Sequence, residues 1–338
     1  MKNKIIAVVG PTGIGKTEVA IKLAMKINGE IVNCDSRQVY KKLDIGTNKG
    51  LITKTPEFEN LDKWKIFRYE LEKSGIYGWL FDIVEPNEQL SLSEYQKITL
   101  LIIAQIYKMG KIPILVGGTG LYFDALIKGY KLSNIKPNFQ LREELAKLNV
   151  KELFTRLIKL SPEKASKLNN SDAHNPRRLI RAIEEAQVSQ KERNQFEILD
   201  TQCLHQKHKI DIEPFIIYPI IDREKLYKKV DARVLAMVAE GLVQETTKIV
   251  DEYTEKLEVL RGIGYKEVIL YLHEKITLAE MIAKIQQGHK NYIKRQVTWF
   301  ESGFRKYKLQ VYDFEKDTKK IFKDVEKFLG NRQFFGQL

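Results

Sequence analysis

Cysteine is nearly missing from this 338-residue chain: Cys34 and Cys203 are its two. Two cysteines cannot build a disulfide framework, and their separation rules out paired zinc-ligand spacing. Cys203, His205 and His208 lie close together. Three scattered ligands with no second pair read as a solvated loop rather than a metal site. Long apolar runs are also missing. None reaches the roughly 18 residues a membrane span needs. The run that ends at Gly10 is too short for a signal peptide and carries no cleavage site, so a cytoplasmic protein away from membranes is expected. Low-complexity tracts and internal repeats are absent, and nine prolines are spread thinly.

What is present is an ordinary folding composition, 43% hydrophobic and 30% charged. The length exceeds a domain of about 100 to 200 residues, so two lobes or a core with an insertion are expected. The net charge of +13 is the footprint of a polyanion partner or of lysine-rich codon usage.

Ile5 to Val9 is a β-branched run that ends in a glycine-rich turn, with helical spacing of apolar residues after it. The turn, Gly10-Pro11-Thr12-Gly13-Ile14-Gly15-Lys16-Thr17, fits G-x-x-x-x-G-K-[ST] in its required strand–loop–helix setting. The glycines let backbone N–H groups converge on a phosphate, Lys16 adds a mobile charge, and Thr17 can hold Mg2+. Two more strand-like pieces, Glu30 to Asn33 and Ile112 to Val116, run into Cys34-Asp35-Ser36 and Gly117-Gly118-Thr119-Gly120. Strands that end in such turns predict an α/β fold, a P-loop NTPase-like parallel sheet flanked by helices, with all three turns facing one crevice.

Gly50 to Gly75 is charged and aromatic and reads as irregular, and Asp82 is either a Mg2+ ligand or a turn-capping carboxylate. Leu141 to Ala186 reads as a helical insertion with proline-led starts at Ser161-Pro162 and Asn175-Pro176. The expected division is a P-loop core at 1–129 and 200–338 and an insertion domain at 130–199. Phe215 to Ile221 reads as a strand, and Arg223 to Val250 and Leu278 to Phe304 as amphipathic helices. By itself the P-loop allows a small-molecule or nucleoside kinase, or an RNA-binding regulator switched by nucleotide.

Several blocks in order, Asp35-Ser36-Arg37-Gln38-Val39-Tyr40, Asp44-Ile45-Gly46-Thr47 and Val116 to Tyr122, resemble the tRNA dimethylallyltransferase (tRNA isopentenyltransferase) family. So do Asn175-Pro176-Arg177-Arg178, Asp222-Arg223-Glu224, Gly262 to Glu267 and Lys294-Arg295-Gln296-Val297-Thr298-Trp299-Phe300. The chain departs from the family pattern at Gly78-Trp79, where two histidines are usual, at the longer Gly50–Gly75 segment and at Glu301. With no cysteine-rich C-terminal finger, it resembles a bacterial member.

The resemblance implies transfer of a dimethylallyl group from dimethylallyl diphosphate to N6 of the adenosine 3′ of a tRNA anticodon, with diphosphate released. Asp35 would take the amine proton, and Thr119 and Arg142 would act at the reacting centre and the diphosphate. Gly10 to Thr17 would hold the donor, with Mg2+ as cofactor. For tRNA the resemblance implies Asp35, Ser36, Arg37, Gln38, Arg177, Arg178, Arg181, Arg261, Gly264, Tyr265, Lys266, Lys294, Arg295, Gln296 and Trp299. The insertion domain would contact tRNA, and the enzyme would act as a monomer. On residue type alone, Arg142 is equally an exposed helix charge, Thr119 a turn residue and Trp299 a core residue.

Overall fold

The computed structural model describes residues 3–50, 52–61, 64–130, 132, 135, 137–188, 212–220, 222–303 and 307–330. The Cys203, His205 and His208 group lies outside them. Contacts divide the chain into two compact units, Met1–Tyr130 with His205–Leu338, and Lys131–Leu204.

The first unit is built on an eight-stranded sheet in the order β3-β4-β5-β2-β6-β1-β7-β8. Its strands are β1 (Asn3–Val9), β2 (Gly29–Asn33), β3 (Ile52–Leu61), β4 (Trp64–Leu71), β5 (Ile76–Trp79), β6 (Ile112–Gly117), β7 (Ile212–Pro219) and β8 (Leu309–Tyr312). From β5 to β8 every neighbouring pair is parallel. Ile5 to Val9 are fully buried because helices cover both faces of the sheet. Each such aliphatic side chain contributes about 1.5–3 kcal/mol on burial. This is the P-loop NTPase-like architecture expected from the motif.

The register positions the site. Val9 pairs with Gly117 and Asn33 with Val116, so β1, β2 and β6 end side by side and release their turns at one edge. Helix α1 (Lys16–Ile27) leaves the first turn and α3 (Gly120–Lys128) leaves the third, while α2 (Leu92–Lys108) starts with a Ser91–Glu94 capping box.

Gly50 to Gly75 is not irregular. Most of it forms the antiparallel hairpin β3–β4, which extends the sheet through β5. The strand signal was hidden by charged residues and by Pro56, which an edge strand tolerates because half its N–H groups point away from the ladder. Fully buried Glu30 anchors the hairpin's neighbourhood: it accepts hydrogen bonds from Arg68 of β4 (2.8 Å), Lys111 (2.6 Å) and Trp79 Nε1 (2.6 Å).

The predicted helix over 223–250 is two helices, α9 (Arg223–Glu240) and α10 (Leu242–Glu252). They break at Gly241, whose φ of 107° lies in the left-handed region that favours glycine. Beyond a short 3₁₀ turn, α11 (Tyr265–Leu272) and the 26-residue α12 (Leu278–Gly303) pack with α9 and α10 around Val234, Met237, Leu242 and Ile285. A last helix, α13 (Thr318–Leu329), packs against α1 and β7. Among the described residues, no helix is long and apolar enough to cross a membrane.

The second unit holds five helices among its described residues, α4 (Phe139–Leu145), α5 (Val150–Leu160), α6 (Pro162–Ser166), α7 (Asn170–Ala173) and α8 (Pro176–Gln187). Ser161 and Asn175 cap the two that begin with proline. The core is Leu141, Leu145, Leu153, Leu157, Leu179 and Ile183.

Candidate active site

The eight residues after Val9 form the loop that the P-loop motif describes, with positive φ at Gly10, Gly13 and Gly15. Gly15 adopts φ 90°, a conformation glycine accepts without strain, and so aims the first amides of α1 back into the loop. The Lys16 ammonium donates to the Pro11 carbonyl at 2.8 Å. Burial pushes its pKa down to about 8, with the Asp35 carboxylate pulling it up and the Arg233 guanidinium pushing it further down. Thr17 is exposed at the second position of α1. No cluster of three His, Cys, Asp or Glu groups suited to a metal occurs among the described residues. Mg2+ held through one protein hydroxyl, substrate phosphates and water needs no such cluster, and the Thr17 hydroxyl fits that donor set.

The two neighbouring strand ends bring up the other predicted groups. Asp35 is half-buried in a turn whose amides are already committed: its own N–H donates to Asn33 Oδ1 at 3.1 Å, and its Oδ1 accepts the Arg37 N–H at 2.8 Å. Thr119 meets this turn directly. Its hydroxyl accepts the Ser36 N–H at 3.0 Å and lies 3.3 Å from the Ser36 hydroxyl, while its N–H donates to the Cys34 carbonyl at 3.2 Å. Cys34 itself is buried, which pushes its thiol up to about 12. Tyr292 of α12 borders the same place, its pKa raised by burial and by Asp35.

Arg233 of α9 is a site residue that the sequence reading missed. Its Nη1 donates to the Thr12 hydroxyl at 3.1 Å. Burial lowers its pKa against the opposing pull of Asp35. His289 of α12 is buried, and that burial together with the Arg233 charge holds it down at about 4. A neutral imidazole therefore adds no competing cation beside the guanidinium. The signal for both was available. Leu226, Val230, Arg233 and Met237 share one helical stripe, as do Ile285, His289, Ile293, Gln296 and Phe300. Polar residues on core stripes are candidates for buried work.

Gln296, Tyr265 and Gly264, all read as tRNA contacts, are buried in this structure. Gln296 is 4% exposed and has both ends of its amide engaged with the Thr12 N–H and the Gly118 carbonyl. Tyr265 is 2% exposed and donates to Glu245, whose carboxylate also takes the N–H groups of Asp44, Ile45 and Gly46. Asp82 is engaged by buried Lys49, whose ammonium lies 2.5 Å from Asp82, 2.5 Å from Asp44 and 2.9 Å from the Tyr40 carbonyl. Asp82 and Asp44 thus share one buried cation.

The remaining predicted tRNA residues are distributed more openly. Arg37, Arg261, Lys266, Lys294 and Arg295 are exposed in the first unit. Arg37 reaches the Val259 carbonyl at 3.4 Å, Arg261 pairs with Glu258 at 3.0 Å, Lys266 lies 3.5 Å from Glu267 and Arg295 lies over Tyr292. Gln38 donates to the carbonyls of Thr47 and Asn48. Trp299 lies over Gly120. In the second unit, Arg177, Arg178 and Arg181 sit on α8. Arg178 pairs with Asp172, and Arg181 pairs with Glu184 and Glu185. Arg142 grips the same Glu184 through two 2.7 Å hydrogen bonds.

Residues 38–303 match the family model described as IPP transferase, and residues 3–68 match one described as Isopentenyl transferase. The chain belongs to the IPP transferase family. It is 35% identical over 318 residues to a tRNA dimethylallyltransferase of Anoxybacillus flavithermus, covering 94% of this chain and 93% of that one. It is 34% identical over 341 residues to one from a Thermoanaerobacter species, covering 99% and 100%. The crystal structure of a Bacillus halodurans tRNA isopentenylpyrophosphate transferase aligns with a TM-score of 0.64 at 31% identity, over 96% of each chain. A eukaryotic dimethylallyltransferase crystallised acting on tRNA shares the fold, with a TM-score of 0.73 at 24% identity over 99% of this chain and 81% of that one. For an IPP transferase, the joint placement of a P-loop, Asp35 and Thr119 at adjacent strand ends is the feature that calls for a chemical account.

Proposed function

We propose that this enzyme transfers a dimethylallyl group from dimethylallyl diphosphate to the exocyclic N6 of the adenosine 3′ of a tRNA anticodon. The carrying observation is the single edge at which a phosphate cradle, two cationic side chains and a carboxylate meet. A kinase would also use such a cradle and a carboxylate to take a proton from its acceptor; the match to the IPP transferase model and to relatives named tRNA dimethylallyltransferase favours prenyl transfer.

The chemistry balances in one exchange: the N6–C1 bond forms, the C1–O bond to diphosphate breaks, and the N6 proton passes to the Asp35 carboxylate. Adenine's amine is a weak nucleophile because its lone pair is delocalised, so proton removal as the bond forms matters. The P-loop amides, Lys16 and Arg233 stabilise the charge that grows on the leaving diphosphate. Mg2+ at Thr17 would add Lewis-acid neutralisation of that charge. We assign the guanidinium role to Arg233, since Arg142 is engaged with Glu184. Thr119 holds Ser36, and with it the turn that presents Asp35.

A base must leave its stack to reach such a site. Lys294, Arg295 and Arg37 in the first unit supply cations that track RNA phosphates, and Arg177 supplies one in the second unit. The reading takes the enzyme to work in the cytoplasm as a monomer. It is tested by incubating the protein with unmodified tRNA and labelled dimethylallyl diphosphate, or with ATP, and analysing the tRNA nucleosides by mass spectrometry. Prenylated adenosine supports it; γ-phosphate turnover with unmodified tRNA overturns it.

A further inference from the structure

We infer that Gln296 is a positioning residue of this reaction, a two-ended strut that fixes the spacing between the diphosphate cradle and the turn carrying Thr119. The inference rests on the prenyl-transfer reading above. Gln296 follows the exposed Lys294 and Arg295 on α12, yet its side chain turns inward. Its Oε1 accepts the Thr12 N–H at 2.9 Å and its Nε2 donates to the Gly118 carbonyl at 2.9 Å. A backbone donor at one end and a backbone acceptor at the other leave a single orientation of the amide that satisfies both.

The strut stands where the sheet stops. The β1–β6 pairing extends to Val9 and Gly117. Past that pair, the loop and the turn are rich in glycine and carry few side chains to hold them. A carboxamide that accepts on one side and donates on the other does what a peptide group would do if the ladder went on. The fit is close: a Cβ built on Gly118 would lie 2.2 Å from Gln296 Nε2, so a residue larger than glycine displaces the amide.

Thr12 is thereby held twice, its main chain by Gln296 and its hydroxyl by Arg233. Its N–H, which could otherwise turn on a phosphate, is given to the strut, and positive charge at that point comes from the guanidinium. Alkyl transfer needs N6, C1 and the leaving oxygen in line. The cradle fixes one end of that line, and the Asp35–Thr119 turn fixes the other.

The test compares Gln296→Met, which keeps the shape and loses both hydrogen bonds, with Gly118→Ala and with the double variant. kcat, both KM values, tRNA affinity and melting temperature are measured on the full-length protein. Gln296→Met is expected to lower kcat by about tenfold to a hundredfold at saturating substrates, with tRNA affinity nearly unchanged and the melting temperature lowered by only about a few degrees, because the Thr12 N–H and the Gly118 carbonyl lose a partner. Gly118→Ala should show a similar loss, and the double variant should be no worse than the poorer single one, because both remove the same bridge. Weakened tRNA binding at full kcat would make Gln296 an RNA contact and overturn the inference. So would a lowered melting temperature with normal turnover, or losses that multiply. Active wild type with an unaffected Gln296→Met sinks the strut alone; inactive wild type sinks the functional reading beneath it.

Discussion

Arg233 donates to the hydroxyl of Thr12 at 3.1 Å, which brings a guanidinium from α9 onto the loop that follows β1. The two residues are 221 positions apart in sequence. The contact adds to the P-loop, from outside the motif, a cation that keeps its charge at any physiological pH.

Arg233→Lys keeps a positive charge and loses the planar fork. The expected result is a fall of about a hundredfold in kcat/KM for dimethylallyl diphosphate, with tRNA affinity retained. Steady-state kinetics with the donor varied at saturating tRNA would show it, and unchanged parameters would remove Arg233 from the site.

Lys16 gives the reaction a basic limb. Its pKa of about 8 means that the ligand-free protein loses this ammonium as the pH rises past that value. Donor kcat/KM, which reports the free enzyme, should therefore decline above about pH 8. The kcat profile should stay flat to higher pH, because bound diphosphate stabilises the charged form. A Lys16→Met variant should lack the limb altogether.

Asp35→Asn preserves the acceptor that holds the Arg37 N–H and removes the base. Turnover is expected to drop by about 10²- to 10⁴-fold, while a filter-binding or fluorescence measurement of tRNA affinity stays near wild type. Parallel loss of binding and turnover would make the residue a contact and not a base.

Glu30→Ala would strand Arg68, Lys111 and the Trp79 indole N–H, all of which converge on one buried carboxylate. Removing one partner of such a network costs about 3 kcal/mol. A lowered melting temperature is expected, with hydrogen exchange accelerated first in β4 and β5 and with normal kcat below the transition.

The parallel sheet, the P-loop and the turns after β2 and β6 were legible because each is a local pattern, an apolar β-branched run followed at once by polar or glycine residues. The β3–β4 hairpin was not, since edge strands carry charge and tolerate proline, and Lys54 and Phe58 flank a register shift that spoils the alternation. Arg233, and the inward role of Gln296, were hidden for a different reason. Each is one residue within a helix, and its role depends on which way that helix turns toward a loop more than 200 positions away. Arg233 interrupts an otherwise apolar stripe, and Gln296 shares a mostly apolar one with His289, which is the trace such a role leaves in sequence.

Cys34 is buried next to the proposed base, close to where the proposed allylic donor would react. A thiolate there would outcompete an adenine amine and prenylate the enzyme itself. Burial keeps the sulfur protonated up to about pH 12, and the Tyr95 hydroxyl, bonded to the adjacent Asn33 carbonyl at 3.0 Å, helps to close it in. In the proposed reaction, a thiol held protonated in this way would not compete with the adenine amine for the prenyl group.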